Sequence, residues 1–196
     1  MRIVAGRWAG RTLASPGGRV RPTAEAVRDE ALTWVRQILP AARVLDLFAG
    51  TGALALEALS RGAGRADVVE SAPAALHALK ANVAALGARG QVRVFKRDAL
   101  AFLAGLEAGA YDLALADPPY TSRLGVRVVE AWRAVPFARW LLVETAPATE
   151  LPPGGRRRLV GDAALTLYRL SSDRTQRNTS SQSRKAGASP DPSSGR

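Results

Sequence analysis

The chain reads as an α/β protein: a mostly parallel sheet of seven strands with helices on both faces and an antiparallel hairpin at its C-terminal edge. Three observations predict this. Between residues 44 and 144, apolar runs of strand length alternate with stretches of helical periodicity, and regular alternation of this kind implies parallel strands joined by crossover helices. The first apolar run ends in the glycine-rich turn Asp46-Leu47-Phe48-Ala49-Gly50-Thr51-Gly52, where doubly wound folds bring the backbone close to a ligand. The last two runs are separated only by Gly161-Asp162, a spacing that pairs them antiparallel.

Taken in order, residues 1–24 carry Arg2, Arg7, Arg11, Arg19 and Arg21 and no acid. Residues 2–5 and 11–14 read as two short strands around a glycine-containing turn, so that residues 1–22 make a small basic hairpin or arm. The main domain is expected over residues 23–170. Thr23 is a suitable cap for a helix with Glu25, Asp29 and Glu30 early and apolar positions running to Pro40. Strands follow at residues 44–48, 66–70, 92–95, 113–116 and 140–144, with helices at 54–59, 73–86, 99–106 and 126–135. The closing hairpin comprises residues 157–160 and 164–169. Residues 171–196 are mostly Ser, Arg, Thr, Gln, Gly and Pro, with almost nothing to bury, and are expected to be a disordered tail.

The formal charge is +11 over 196 residues, carried mainly by arginine. Arginine pairs bidentately with phosphate and stacks on bases, so a polyanionic partner, nucleic acid first, is implied. A GC-rich genome also raises arginine content, but it does not by itself create net charge. The chain has no cysteine, which excludes disulfides and thiolate metal sites; no metal is expected. The opening residues have no apolar signal core and no segment approaches membrane-span length, so a cytoplasmic protein is expected. His77 falls in ordinary helical periodicity and reads as an exposed helix residue.

Asp117-Pro118-Pro119-Tyr120 carries the chemistry. Its prolines stiffen a loop at a strand end and leave carbonyls unpaired. A carboxylate and a carbonyl can accept the two hydrogens of a planar exocyclic amine, while an aromatic face stacks on the ring. Together with the glycine turn, this points to methyl transfer onto an amine. Gly50 and Gly52 let the backbone approach a cofactor, and Glu70, at the next strand end, stands where an acid accepts ribose hydroxyls. Gly50-x-Gly52-x-x-Ala55 also satisfies a dinucleotide fingerprint. Asp46 discriminates, because a carboxylate there repels a pyrophosphate but suits the ammonium of S-adenosylmethionine. Two unit charges near 4 Å interact by roughly 4 kcal/mol at an effective dielectric of about 20. Asp98, after the third strand, is placed for the adenine amino group, and Ala49, Ser71 and Ala99 complete the expected cofactor contacts.

The sequence resembles the bacterial 16S ribosomal RNA (guanine-N2)-methyltransferases of the D type, which are Rossmann-like class I methyltransferases. The likeness runs from Arg2 to about Leu170. Its most specific part is the basic opening, Arg2-Ile3-Val4-Ala5-Gly6-Arg7-Trp8-Ala9-Gly10-Arg11, combined with Arg21-Pro22-Thr23 and then Val27-Arg28 and Trp34. The glycine turn with Glu57-Ala58-Leu59-Ser60-Arg61-Gly62 after it, the proline loop, and Leu167-Tyr168-Arg169 are similar as well. Many relatives place a second acid two residues after the ribose-binding one, whereas this chain has Ala72. The tail has no counterpart.

The resemblance implies methylation of a guanine N2 in the assembled or nearly assembled small subunit by a monomeric enzyme. Asp117, Pro118 and Tyr120 are its expected catalytic residues. Arg2, Arg7, Arg11, Arg21 and Arg123 are candidate RNA contacts, with Trp8 as a stacking partner. Three alternatives stay open at this point. An N6-adenine methyltransferase acting on DNA or RNA would use the same proline loop. A non-catalytic RNA-binding assembly factor would keep the fold, and an NAD-dependent oxidoreductase would keep the glycine turn.

Overall fold

The computed structural model describes residues 1–15 and 22–170; Arg19, Arg21 and the expected tail lie outside the described residues. The elements are α1 (Pro22–Trp34), β1 (Arg43–Asp46), α2 (Ala53–Ser60), β2 (Arg65–Glu70), α3 (Pro73–Ala85), β3 (Val92–Lys96), α4 (Ala99–Leu103), β4 (Tyr111–Ala116), α5 (Leu124–Ala134), β5 (Ala138–Thr145), β6 (Arg156–Val160) and β7 (Ala163–Arg169). One seven-stranded sheet has the order β3-β2-β1-β4-β5-β7-β6. The first five strands are parallel, and β7 pairs antiparallel with both β5 and β6.

Both faces of the central strands are covered, which is why they read as continuous apolar runs. On β1, Val44 packs into one core and Leu45 into the other; on β4, Leu113 and Leu115 alternate in the same way with Ala114 and Ala116. The first core takes Leu32 of α1, Leu56 of α2 and Leu79 of α3, and the second takes Phe102 of α4 and Val128 and Trp132 of α5. β6 forms the edge, its residues largely exposed, with Leu159 68% accessible.

Several boundaries differ from the sequence expectation. α1 already includes Pro22, so Thr23 lies inside the first turn and does not cap it; proline suits that position because its missing N–H has no intrahelical partner there. The same helix stops at Trp34, and the apolar pattern continues to Leu39 through tight turns in which Arg36 N–H bonds Thr33 O and Ile38 N–H bonds Val35 O. α4 ends at Leu103, three residues early, because the chain tightens at Gly105, whose N–H bonds Phe102 O.

The basic opening is held by a single antiparallel bridge, Arg2 to Thr12, rather than by two extended strands. Ile3 and Leu13 bury their side chains in the first core. Buried Glu57 of α2 accepts the N–H groups of Val4 and Ala5, each at 2.8 Å. Gly6 passes so close to the end of α2 that a Cβ there would meet the Ser60 carbonyl oxygen at 2.0 Å. This segment is therefore seated on α2 by main-chain bonds and by two apolar side chains.

Candidate active site

The strand order reverses direction between β1 and β4, and in open α/β sheets the ligand crevice opens there, beyond the carboxyl ends of the strands. A cleft of about 460 Å³ occupies this place. Seven of the expected site residues line it: Glu70, Ser71, Asp98 and Ala99 from the β2 and β3 ends, and Asp117, Pro118 and Tyr120 after β4. Leu47, Phe48, Val69, Arg97, Pro119 and Leu124 line it as well.

The glycine turn forms the floor on the β1 side. Ala49 N–H bonds Val69 O at 3.1 Å, and Gly52 N–H bonds Ala49 O at 2.7 Å. Gly52 has φ +81°, and a Cβ on it would lie 2.3 Å from Leu79 Cδ1, so both its conformation and its packing require glycine. Ala49, Gly50 and Gly52 shape the turn without lining the cleft.

Asp46 lies beneath this turn and is 1% accessible. Its Oδ2 accepts the Ala55 N–H of α2 at 3.2 Å, while its Oδ1 is buried without a hydrogen-bond partner among the described residues. Burial raises its pKa from 3.8 to about 7, against the lowering by backbone N–H groups of Ala55 and Phe48. The carboxylate thus accepts from the first turn of α2 with one oxygen, while the other has no partner among the described residues.

Glu70 is held by three main-chain donors: Gly50 N–H at 2.8 Å, Ser71 N–H at 2.8 Å and Ala72 N–H at 2.7 Å. It joins the β2 end to the glycine turn and retains acceptor capacity on Oε2, which receives only one of these bonds. Asp98 caps α4, its Oδ1 accepting Ala101 N–H at 2.9 Å. Its second oxygen receives no hydrogen bond among the described residues, and Oδ1 keeps one lone pair.

Across the cleft, Asp117 is exposed by area, although neighbouring groups withdraw its carboxyl partly from water. That withdrawal, then the charges of Glu144 and Asp46, lift its pKa well above the ordinary carboxylate range. Tyr120 is 42% accessible, and its hydroxyl donates to Glu144 Oε1 at 2.7 Å. Burial and the Glu144 carboxylate push the phenol pKa upward, so it stays a neutral donor. Glu144, near the end of β5, is raised as well, mainly by burial. It was missed in the sequence, although its signal was available: an acid at the end of a parallel strand, as Glu70 is.

The candidate RNA residues are not gathered at the cleft. The turn bearing Arg7 and Trp8 rests on Ser60 and Gln91, at the amino-terminal end of the sheet: Arg7 N–H bonds Ser60 O at 2.9 Å, and its guanidinium donates to Gln91. That guanidinium also lies 3.9 Å from the centre of the Trp8 ring. Arg2 pairs with Glu25 at 3.4 Å, and Arg11 donates to Ala85 O at 3.0 Å. Arg123 immediately precedes α5, close in sequence to the proline loop. Among the described residues, the N-terminal segment is linked to the glycine turn at Ala14, through the buried amide of Asn82, which also donates to Thr51 O. His77 is exposed on α3.

Comparison with known proteins agrees with this geometry. The family profile described as conserved hypothetical protein 95 matches residues 1–154. The chain is 41% identical to ribosomal RNA small subunit methyltransferase D of Escherichia coli (strain K12) over 123 residues, which is 61% of this chain and 60% of that protein. It thus spans less than two thirds of that relative's length. A solved hypothetical protein of Thermus thermophilus superposes with a TM-score of 0.73 at 29% identity, covering 87% of this chain and 99% of its own. A Thermus thermophilus 16S rRNA N2 methyltransferase, solved with AdoMet and guanosine, shares the fold at 21% identity, with a TM-score of 0.61 over 79% of this chain and 44% of its own. The chain therefore has a Rossmann-like class I methyltransferase fold and belongs to the conserved hypothetical protein 95 family.

Proposed function

We propose that this protein methylates a guanine N2 of 16S rRNA in the assembled or nearly assembled small ribosomal subunit, using S-adenosylmethionine, as a cytoplasmic monomer. The observation that carries the reading is the shared cleft, in which Glu70 and Asp98 face Asp117, Pro118 and Tyr120 across one cavity. The residues present fit the cofactor. Asp46 keeps a buried, unpartnered Oδ1 behind the glycine turn, a site that suits an ammonium and disfavours an anion. Glu70 would accept the ribose hydroxyls, Asp98 the adenine amino group, and Ala49, Gly50, Gly52, Ser71 and Ala99 would supply close backbone approach. When bound, the cofactor supplies a methyl group on a sulfonium, whose departure leaves a neutral thioether.

The protein's own part is to prepare a poor nucleophile. The N2 lone pair of guanine is delocalised into the ring. Asp117 and the Pro118 carbonyl accept the two N–H groups, which bends the nitrogen out of conjugation and aims its lone pair. As the new N–C bond forms, N2 gives up one proton to Asp117, whose raised pKa suits it to receive that proton. Holding the reactants in line contributes several kcal/mol, since oriented reactants reach effective molarities on the order of 10⁵ M or more. Tyr120 stacks on the base, which leaves its own stack to enter the pocket. Arg2, Arg7, Arg11, Arg21 and Arg123, with Trp8, position the RNA without reading its sequence.

The test is incubation with labelled S-adenosylmethionine and undermethylated small subunits, followed by nucleoside mass spectrometry. The expected product is N2-methylguanosine, lost on Asp117→Ala. N6-methyladenosine would move the substrate to the adenine alternative. No transfer to subunits, naked RNA or DNA would leave a non-catalytic binding factor.

A further inference from the structure

The proline loop alone does not separate guanine from adenine, because both present an exocyclic amine to Asp117 and Pro118. The atom beside that amine does separate them. In guanine the amine is flanked by N1–H, a donor; in adenine it is flanked by a bare N1, an acceptor.

Strand order puts β4 between β1 and β5. Asp117, following β4, thus has Asp46 and Glu70 on the cofactor side and Glu144 on the other. Glu144 is close enough for its charge to act on Asp117. Its Oε1 accepts the Tyr120 hydroxyl, and its Oε2 has no hydrogen bond among the described residues. Anchoring Tyr120 requires only one neutral acceptor, which a glutamine would supply. Glu144 lies among the acids Asp117 and Asp162, and Tyr120 uses only its first oxygen. Glu144 is tied to the cleft through Tyr120, which lines it, so a base stacked on Tyr120 with its amine at Asp117 would turn its Watson–Crick edge toward Glu144.

We propose that Glu144 is the residue that selects guanine over adenine: Oε1 holds Tyr120, while Oε2 accepts guanine N1–H and repels the lone pair of adenine N1. This rests on the guanine reading given above and adds a specificity residue to it. Buried polar groups that pair with a substrate N–H reject an analogue lacking it, because the site is then left unpaired.

The decisive analogue is 2-aminopurine, which keeps the N2 amine and presents N1 as an acceptor. Small subunits are reconstituted with guanosine or 2-aminopurine at the methylated position, and kcat/KM is measured for the full-length wild-type protein, Glu144→Gln and Glu144→Ala. The wild type should prefer guanosine by about 10- to 100-fold. Glu144→Gln, which still accepts from Tyr120 but offers an N–H in place of Oε2, should move that ratio toward 2-aminopurine by about tenfold or more, with Glu144→Ala between them. An unchanged ratio in Glu144→Gln overturns the assignment. If a variant turns over too slowly, the same ratio is read from equilibrium binding of the two RNAs without cofactor, and an unaltered S-adenosylmethionine affinity by calorimetry shows that the variant is folded. A wild-type protein that fails to methylate guanine N2 refutes the functional reading itself, a result distinct from an unshifted ratio in an active enzyme.

Discussion

The side-chain amide of Asn82 joins Thr51 to Ala14. Its Nδ2 donates to the Thr51 carbonyl at 2.9 Å and to the Ala14 carbonyl at 3.0 Å, and its Oδ1 accepts the Ala14 N–H at 2.7 Å. One buried residue of α3 thereby fixes both the cofactor turn and the end of the basic segment. Asn82→Leu, similar in size and unable to form these bonds, should destabilise the protein by about 2–4 kcal/mol, read as a lower midpoint in urea unfolding. The same variant should bind S-adenosylmethionine more weakly in calorimetry, because the Thr51 turn loses its support.

Asp46 gives opposite pH dependences for stability and for cofactor affinity. Its folded pKa of about 7 lies above the ordinary 3.8, so the folded state prefers the neutral acid. The resulting destabilisation is absent below the unfolded pKa, grows as pH rises between the two values, and is constant above the folded one. Unliganded wild type should therefore lose stability relative to Asp46→Asn across that interval. With the carboxylate holding the cofactor ammonium as proposed, wild-type affinity should rise as pH passes about 7, whereas Asp46→Asn should bind about 10- to 100-fold more weakly and lack this rise. Calorimetry and thermal unfolding over the same pH series test both signs.

Two substitutions at Tyr120 separate its ring from its hydroxyl. Tyr120→Ala removes the stacking face, worth roughly 1–3 kcal/mol per base, and should lower kcat/KM by about 10- to 100-fold while sparing cofactor affinity. Tyr120→Phe keeps the face and loses only the bond to Glu144, so steady-state kinetics should show a fall of a few-fold. Equal losses in the two variants would place the function in the hydroxyl.

Glu57 is wholly buried and ion-paired with Arg61 at 2.8 Å and Arg28 at 3.5 Å. Glu57→Ala removes one partner of a buried charge network and, at once, the acceptor of two main-chain N–H groups, those of Val4 and Ala5. It should cost about 3–5 kcal/mol in unfolding experiments. Amide exchange at Val4 and Ala5 should quicken ahead of exchange in the sheet.

The sheet was legible because its central strands are buried on both faces and separated by glycine or proline punctuation; each of its seven expected strands is present with one or both ends shifted by one or two residues, whereas the two short strands expected at residues 2–5 and 11–14 reduce to one bridge. Helix ends were less legible, since Trp34 and Leu103 stop their helices through local turns that apolar periodicity does not register. Three acids expected from spacing, Glu70, Asp98 and Asp117, line the cleft, whereas Asp46 lies buried beneath the glycine turn. What spacing did not reveal is which acids already serve the fold, as Asp98 does in capping α4. Glu144 carried the same strand-end signal as Glu70, but its link to Tyr120 depends on β5 lying beside β4, a relation between distant segments. The same holds for Asn82, whose partners lie 31 and 68 residues away in sequence.

The position of β7 sets an order for assembly. It lies between β5 and β6 although it is made after both, so β6 has no place in the sheet until residues 163–169 have been synthesised. During translation, β5 keeps an unpaired hydrogen-bonding edge until the last strand arrives. An open edge of this kind invites pairing with other chains. Half-made copies of this protein therefore expose a pairing edge that the finished sheet covers once the hairpin at Gly161-Asp162 has closed.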